Sequence, residues 1–80
     1  MHNSQDYNRR MTPTPGTATI GSTLRDRRIA AGLTQIELAE LMSVSQPLIS
    51  NWERDVRTPQ YHMLRDLAEI LDIDLNSLPV

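Results

Sequence analysis

Eighty residues with a formal net charge of -2 leave room for one small hydrophobic core, a size at which folding is marginal and self-association helps. The absence of cysteine excludes disulfides and thiolate metal sites and allows a reducing compartment. His2 and His62 stand far apart in no ligand-like cluster, so no metal or other cofactor is expected. No apolar run nears the roughly 20 residues of a membrane span, and no apolar leader opens the chain, so it is read as cytoplasmic.

Residues 1–19 are polar, carry Pro13, Pro15 and Gly16, and show no periodic apolar pattern; they read as a disordered arm. Arg9 and Arg10 within it are more often simply solvated than engaged with phosphate. The domain proper is expected over 20–80. A first helix starts near Gly21 or Ser22 and runs to Ala31, with Gly32 as its stop. Thr34 is an N-cap, and Glu37 three residues later completes a capping box for a second helix. Ser45 caps a third. Between these two only Ser43 and Val44 remain, so the pair packs as a steep corner, a helix-turn-helix unit. A fourth helix follows Pro59, from about Gln60 to Leu71, where Leu64, Leu67, Ala68 and Leu71 form a continuous stripe. A short last helix, Leu75 to Leu78, begins at the capping residue Asp74. The fold expected is therefore all-α, a compact domain of four to five helices.

At about 100° per residue, the third helix turns Leu48, Ile49 and Trp52 to one side and Gln46, Pro47, Ser50, Asn51 and Arg54 to the other. Leu38, Met42, Val44, Ile49 and Trp52 fill the inside of the corner, where Ala39 is small because a larger side chain would wedge the helices apart. Gln46 and Asn51 each offer a donor beside an acceptor, matching the major-groove edge of adenine, and Pro47 offers an apolar surface suited to a thymine methyl. Pro47 also falls in the first helical turn, where a missing N–H breaks no bond. Any surface helix shows polar side chains outward; the tight turn before this one favours a reading surface.

At Leu24-Arg25, Arg28, Gly32-Leu33-Thr34-Gln35, Leu38-Ala39, Val44-Ser45, Ile49-Ser50, Glu53 and Pro59, the chain resembles the phage repressor and Cro-like helix-turn-helix family of DNA-binding proteins, over about Ile20 to Leu78. The resemblance implies a transcriptional regulator, most plausibly a repressor, in a bacterial cell or phage host, acting as a dimer on a palindromic operator in double-stranded DNA. Gln46, Pro47, Ser50 and Asn51 are the candidates for base contacts. Gln35 and Ser45, at helix N-termini, and Arg54, Arg57 and Thr58, after the reading surface, are the candidates for backbone contacts. Arg28 and Glu53 would form an internal ion pair bracing the first helix against the third. Leu71, Ile73, Leu75, Leu78 and Val80 would supply a two-fold interface. Three positions depart from the family's pattern. Ser43 and Asp55 stand where glycine is usual and a left-handed backbone is common, and Val56 stands where a basic residue is frequent.

The charge is uneven. Residues 1–19 carry +1, residues 20–58 balance to zero, and residues 59–80, with Arg65 against Asp66, Glu69, Asp72 and Asp74, carry -3. The acidic end is expected to point away from DNA. Every basic side chain is arginine, which suits bidentate contact with phosphate or guanine. An enzyme is not expected: Ser50 has no His or Lys partner at helical spacing, Asp72 and Asp74 read as a turn and a cap, and no glycine-rich phosphate loop exists. A rival reading stays open, in which the same fold binds another protein, as an antitoxin or an antagonist of a related repressor. The charge around Gln46 and Asn51 discriminates, an acidic surface favouring protein and a positive one DNA.

Overall fold

A computed structural model describes residues 18–79. Among them four α-helices, α1 (Ile20–Ala30), α2 (Gln35–Met42), α3 (Gln46–Glu53) and α4 (Tyr61–Leu71), precede a 3-10 turn, η1 (Leu75–Ser77), and there is no strand. Arg9, Arg10 and Val80 lie outside the described residues.

Local chemistry explains each boundary. α2 opens on the expected capping box: Thr34 Oγ1 accepts the Glu37 N–H at 3.0 Å and Glu37 Oε1 accepts the Thr34 N–H at 2.8 Å, so two otherwise unpaired donors are satisfied reciprocally. Ser45 Oγ accepts the Leu48 N–H at 3.3 Å to start α3, with Pro47 in the first turn. α1 begins slightly earlier than its sequence suggests. Thr19 is its N-cap, and Ser22 returns the bond from the third helical position, Ser22 Oγ accepting the Thr19 N–H at 2.9 Å. Its C-terminal stop is Gly32, at φ 76. α4 starts at Tyr61, because Gln60 is its N-cap in extended backbone, at φ -66 and ψ 160, and Asp74 caps η1 by accepting the Asn76 N–H at 3.0 Å.

Ser43, Asp55 and Asp72 adopt the left-handed conformation, at φ 58, 60 and 57. Ser43 closes α2: its N–H reaches the Glu40 carbonyl and the Val44 N–H reaches the Ala39 carbonyl at 2.9 Å, which satisfies carbonyls that would otherwise face the turn unpaired. The corner thus keeps its tight shape without glycine.

α3 packs on both α1 and α2, α4 packs on the same pair, and η1 folds onto α4. Leu24, Leu38, Ile49, Leu67 and Leu71 are fully buried where these elements meet, with Ala39, Met42, Trp52 and Leu64 around them. Val44, expected inside the corner, is half-buried at its edge. The terminal segment, which the sequence leaves open between a surface for a partner and a fold back onto the core, packs on the core. Leu71 and Leu78, at 2% and 7% exposure, belong to the domain's own core, and Ile73 and Leu75 are half-buried against it. With four short helices the core needs these side chains to close it. Among the described residues no helix is long and apolar enough to cross a membrane.

Candidate nucleic-acid interface

The exposed face of α3 is supported by a chain of polar contacts that starts behind it. Arg28 on α1 clamps Glu53 at the end of α3, Nε donating to Oε2 at 2.6 Å and Nη2 to Oε1 at 3.1 Å, while its Nη1 donates to the Leu33 carbonyl at 2.8 Å. The Glu53 side chain is only 2% exposed. An unpaired carboxylate at that depth would be strongly unfavourable, and a planar guanidinium matches it in geometry as well as charge. The ion pair expected between these positions is present.

Glu53 has a second donor. Gln35 Nε2, from the first turn of α2, reaches Oε1 at 2.9 Å, and Gln35 Oε1 in turn accepts Gln46 Nε2 at 2.7 Å. A carboxylate only accepts, so Gln35 must turn its NH2 toward Glu53 and its oxygen toward Gln46. Gln46 must then donate, and its carbonyl and second amide N–H remain directed away. The polarity set at Arg28 therefore orients an exposed side chain at the start of α3. Gln35, expected from the sequence on phosphate, has its side chain engaged at both ends within the domain, which leaves its second amide N–H and the backbone N–H groups of Gln35 and Ile36 to meet an anion.

Gln46, Pro47 and Arg54 are exposed and Ser50 and Asn51 half-buried along the same helix. Ser45 already uses its hydroxyl oxygen as the α3 cap. Asn51 and Arg54 are paired with each other, Arg54 Nη2 donating to Asn51 Oδ1 at 2.8 Å. After α3 the chain wraps back on itself: the Asn51 carbonyl accepts the N–H groups of Val56 at 2.9 Å and Arg57 at 3.3 Å. This fixes Arg57 and Thr58, both exposed, at the rim of a cleft of about 320 Å3 floored by Leu48, Trp52 and Met63. The two charges on this rim and face, Arg54 and Arg57, are positive, and the carboxylate of α3 itself is neutralised from behind.

Residues 24–78 match the family model described as Helix-turn-helix. The chain belongs to the phage-repressor and Cro-like helix-turn-helix family. It is 34% identical over 59 residues to the HTH-type transcriptional regulator ImmR of Bacillus subtilis (strain 168), a stretch covering 74% of this chain and 46% of the relative. The chain thus spans about half the length of that curated relative. No solved structure matches it.

One feature of this helix-turn-helix domain escapes sequence reading. Asp55, where the family usually has glycine, is more than a residue that tolerates φ 60. Its Oδ1 accepts the Gly21 N–H at 3.0 Å and its Oδ2 accepts the Thr19 hydroxyl at 2.6 Å, so a residue two positions beyond α3 caps the first turn of α1. A carboxylate there also meets the positive end of that helix favourably. Contact is so close that a β-carbon at Gly21 would lie 2.5 Å from the Trp52 carbonyl oxygen and 2.7 Å from that of Glu53. The signal in the sequence was Asp55 itself, whose partner 34 positions away no local pattern names.

Proposed function

We propose that this chain binds double-stranded DNA sequence-specifically as a transcriptional regulator, most plausibly a repressor that occupies an operator without catalysis. α3 lies in the major groove. Gln46, Pro47, Ser50 and Asn51 face base edges, Arg57 and Thr58 meet the backbone beyond the helix, and Ser45 and the first turn of α2 meet phosphate before it. The observation that carries this reading is the Arg28–Glu53–Gln35–Gln46 chain, which removes a negative charge from the face and leaves Gln46 with one acceptor and one donor directed outward, the pair that adenine's N7 and N6 require. That the related ImmR is an HTH-type transcriptional regulator supports it. Against the rival protein-binding reading stands the placement of charge near Asn51, where Arg54 and Arg57 are exposed while Glu53 is buried against Arg28 and Asp55 is engaged by Thr19 and Gly21. Two copies are proposed to meet on adjacent half-sites of a palindrome, with DNA supplying much of the driving force, because the second contact becomes effectively intramolecular.

Selection from a random duplex pool tests this reading. One enriched, two-fold-symmetric sequence is expected, and Gln46→Ala should reduce the preference for it over random duplex by about 10-fold or more. Arg57→Ala should weaken binding to all duplexes and lower the salt dependence by about one phosphate's share. Failure to enrich any sequence overturns it.

A further inference from the structure

To read adenine, Asn51 must accept from N6 with its side-chain oxygen while its NH2 donates to N7. One of that oxygen's two lone pairs is already taken by a cation, with which an N6 donor must compete. Arg54 Nη2 donates to Asn51 Oδ1 at 2.8 Å, and the polarity of the contact is fixed by chemistry, since a guanidinium has only donors and the amide must turn its oxygen toward it. Residues three apart on a helix are neighbours on its surface, and the backbone holds both in place: the Arg54 N–H bonds the Ser50 carbonyl at 3.0 Å and the Asn51 carbonyl accepts the N–H groups of Val56 and Arg57. What the end of α3 presents is then dominated by donors: an amide NH2 and the remaining N–H groups of a guanidinium, against one unused lone pair of an oxygen that the cation already holds.

We propose that Asn51 and Arg54 act as one donor-rich, cationic unit that specifies guanine, and disfavours adenine, at the base pair facing the C-terminal end of α3. Guanine offers two adjacent acceptors there, O6 and N7, whereas adenine replaces one of them with the N6 donor, which would meet a donor. Arg54 is thus a specificity-determining residue that acts partly by positioning Asn51, a different role from the phosphate clamp its sequence position suggests. This inference rests on α3 being the DNA-reading helix, and the experiment separates the two.

Pool selection is run on the wild-type chain, Asn51→Ala and Arg54→Met, the last keeping a stem of similar length without donors. Melting curves of each confirm folding, which these outward-facing side chains should not disturb. The position whose preference Asn51→Ala loses identifies the base pair concerned. There the wild-type chain is expected to select guanine, and in a competition between two duplexes differing only at that pair to favour guanine over adenine by about 10-fold. Arg54→Met, which frees Asn51 Oδ1, is expected to reverse the choice to adenine. Selection of adenine by the wild-type chain, guanine retained by Arg54→Met, an equal loss by Arg54→Met on both duplexes, or no position altered by Asn51→Ala overturns the proposal while leaving α3 as the reader. No enrichment at all overturns both.

Discussion

Asp55, just beyond the end of α3, holds the backbone N–H of Gly21 at 3.0 Å, joining the first turn of α1 to the last turn of α3 across 34 positions of chain. Gly21→Ala is expected to destabilise the domain by about 3 kcal/mol, because the added methyl meets two backbone carbonyls rather than a flexible side chain. Asp55→Ala removes the cap and leaves a strained φ, for about 2 kcal/mol. Asp55→Gly removes the cap but relaxes the backbone and should fall between Asp55→Ala and the wild-type chain. Chemical denaturation of the three variants checks that order; Asp55→Gly as stable as the wild-type chain would mean that the carboxylate contributes nothing.

Arg28→Met should cost about 3 kcal/mol or more, since it strands a buried carboxylate. The double variant Arg28→Met with Glu53→Met should recover part of that loss, because no charge is then left unpaired. Thermal melting without DNA measures both. Equal stability of the single and double variants would show that Glu53 is satisfied by Gln35 and solvent alone.

Ser43→Gly is expected to stabilise the domain, by at most about 1 kcal/mol. Relief of the left-handed strain at φ 58 outweighs the larger conformational freedom that glycine gives the unfolded chain. For a domain of this size that is a rise in Tm of up to about 8 °C. A fall in Tm would place a stabilising contact on the Ser43 side chain.

Much of the fold was legible because its signals are local. Thr34 with Glu37, Ser45, Asp74 and the stripe through α4 each announce themselves within four residues, and each element formed where expected to within a residue or two. α1 began early because serine, rather than glutamate or glutamine, completes the capping box of Thr19. What could not be read were contacts between distant positions. Periodicity marks Leu71 and Leu78 as apolar but does not say whether their own domain or a second copy covers them. The Arg28–Glu53 pair was legible through resemblance, whereas its extension through Gln35 to Gln46 depends on side chains from three helices meeting at one point. Arg54 and Asn51 have the right spacing to touch, yet only the structure shows that the guanidinium holds the amide oxygen.

Leu78→Ala is expected to lower the stability of the single domain by about 2 to 3 kcal/mol, in keeping with truncation of a buried leucine. The loss should be independent of protein concentration. Melting at concentrations spanning two decades tests this, since a destabilisation that vanishes on dilution would return Leu78 to an interface between copies.

The relay from the Leu33 carbonyl through Arg28, Glu53 and Gln35 to Gln46 means that α3 is not an interchangeable cassette. Grafting its outward residues alone onto a foreign scaffold would transfer the letters of the reading head without the direction in which they are held. A chimaera that carries Arg28, Gln35 and Glu53 along with them would keep the amide of Gln46 facing the same way. Under the proposed DNA reading, residues that never face a base pair would then be constrained by the sequence the domain reads.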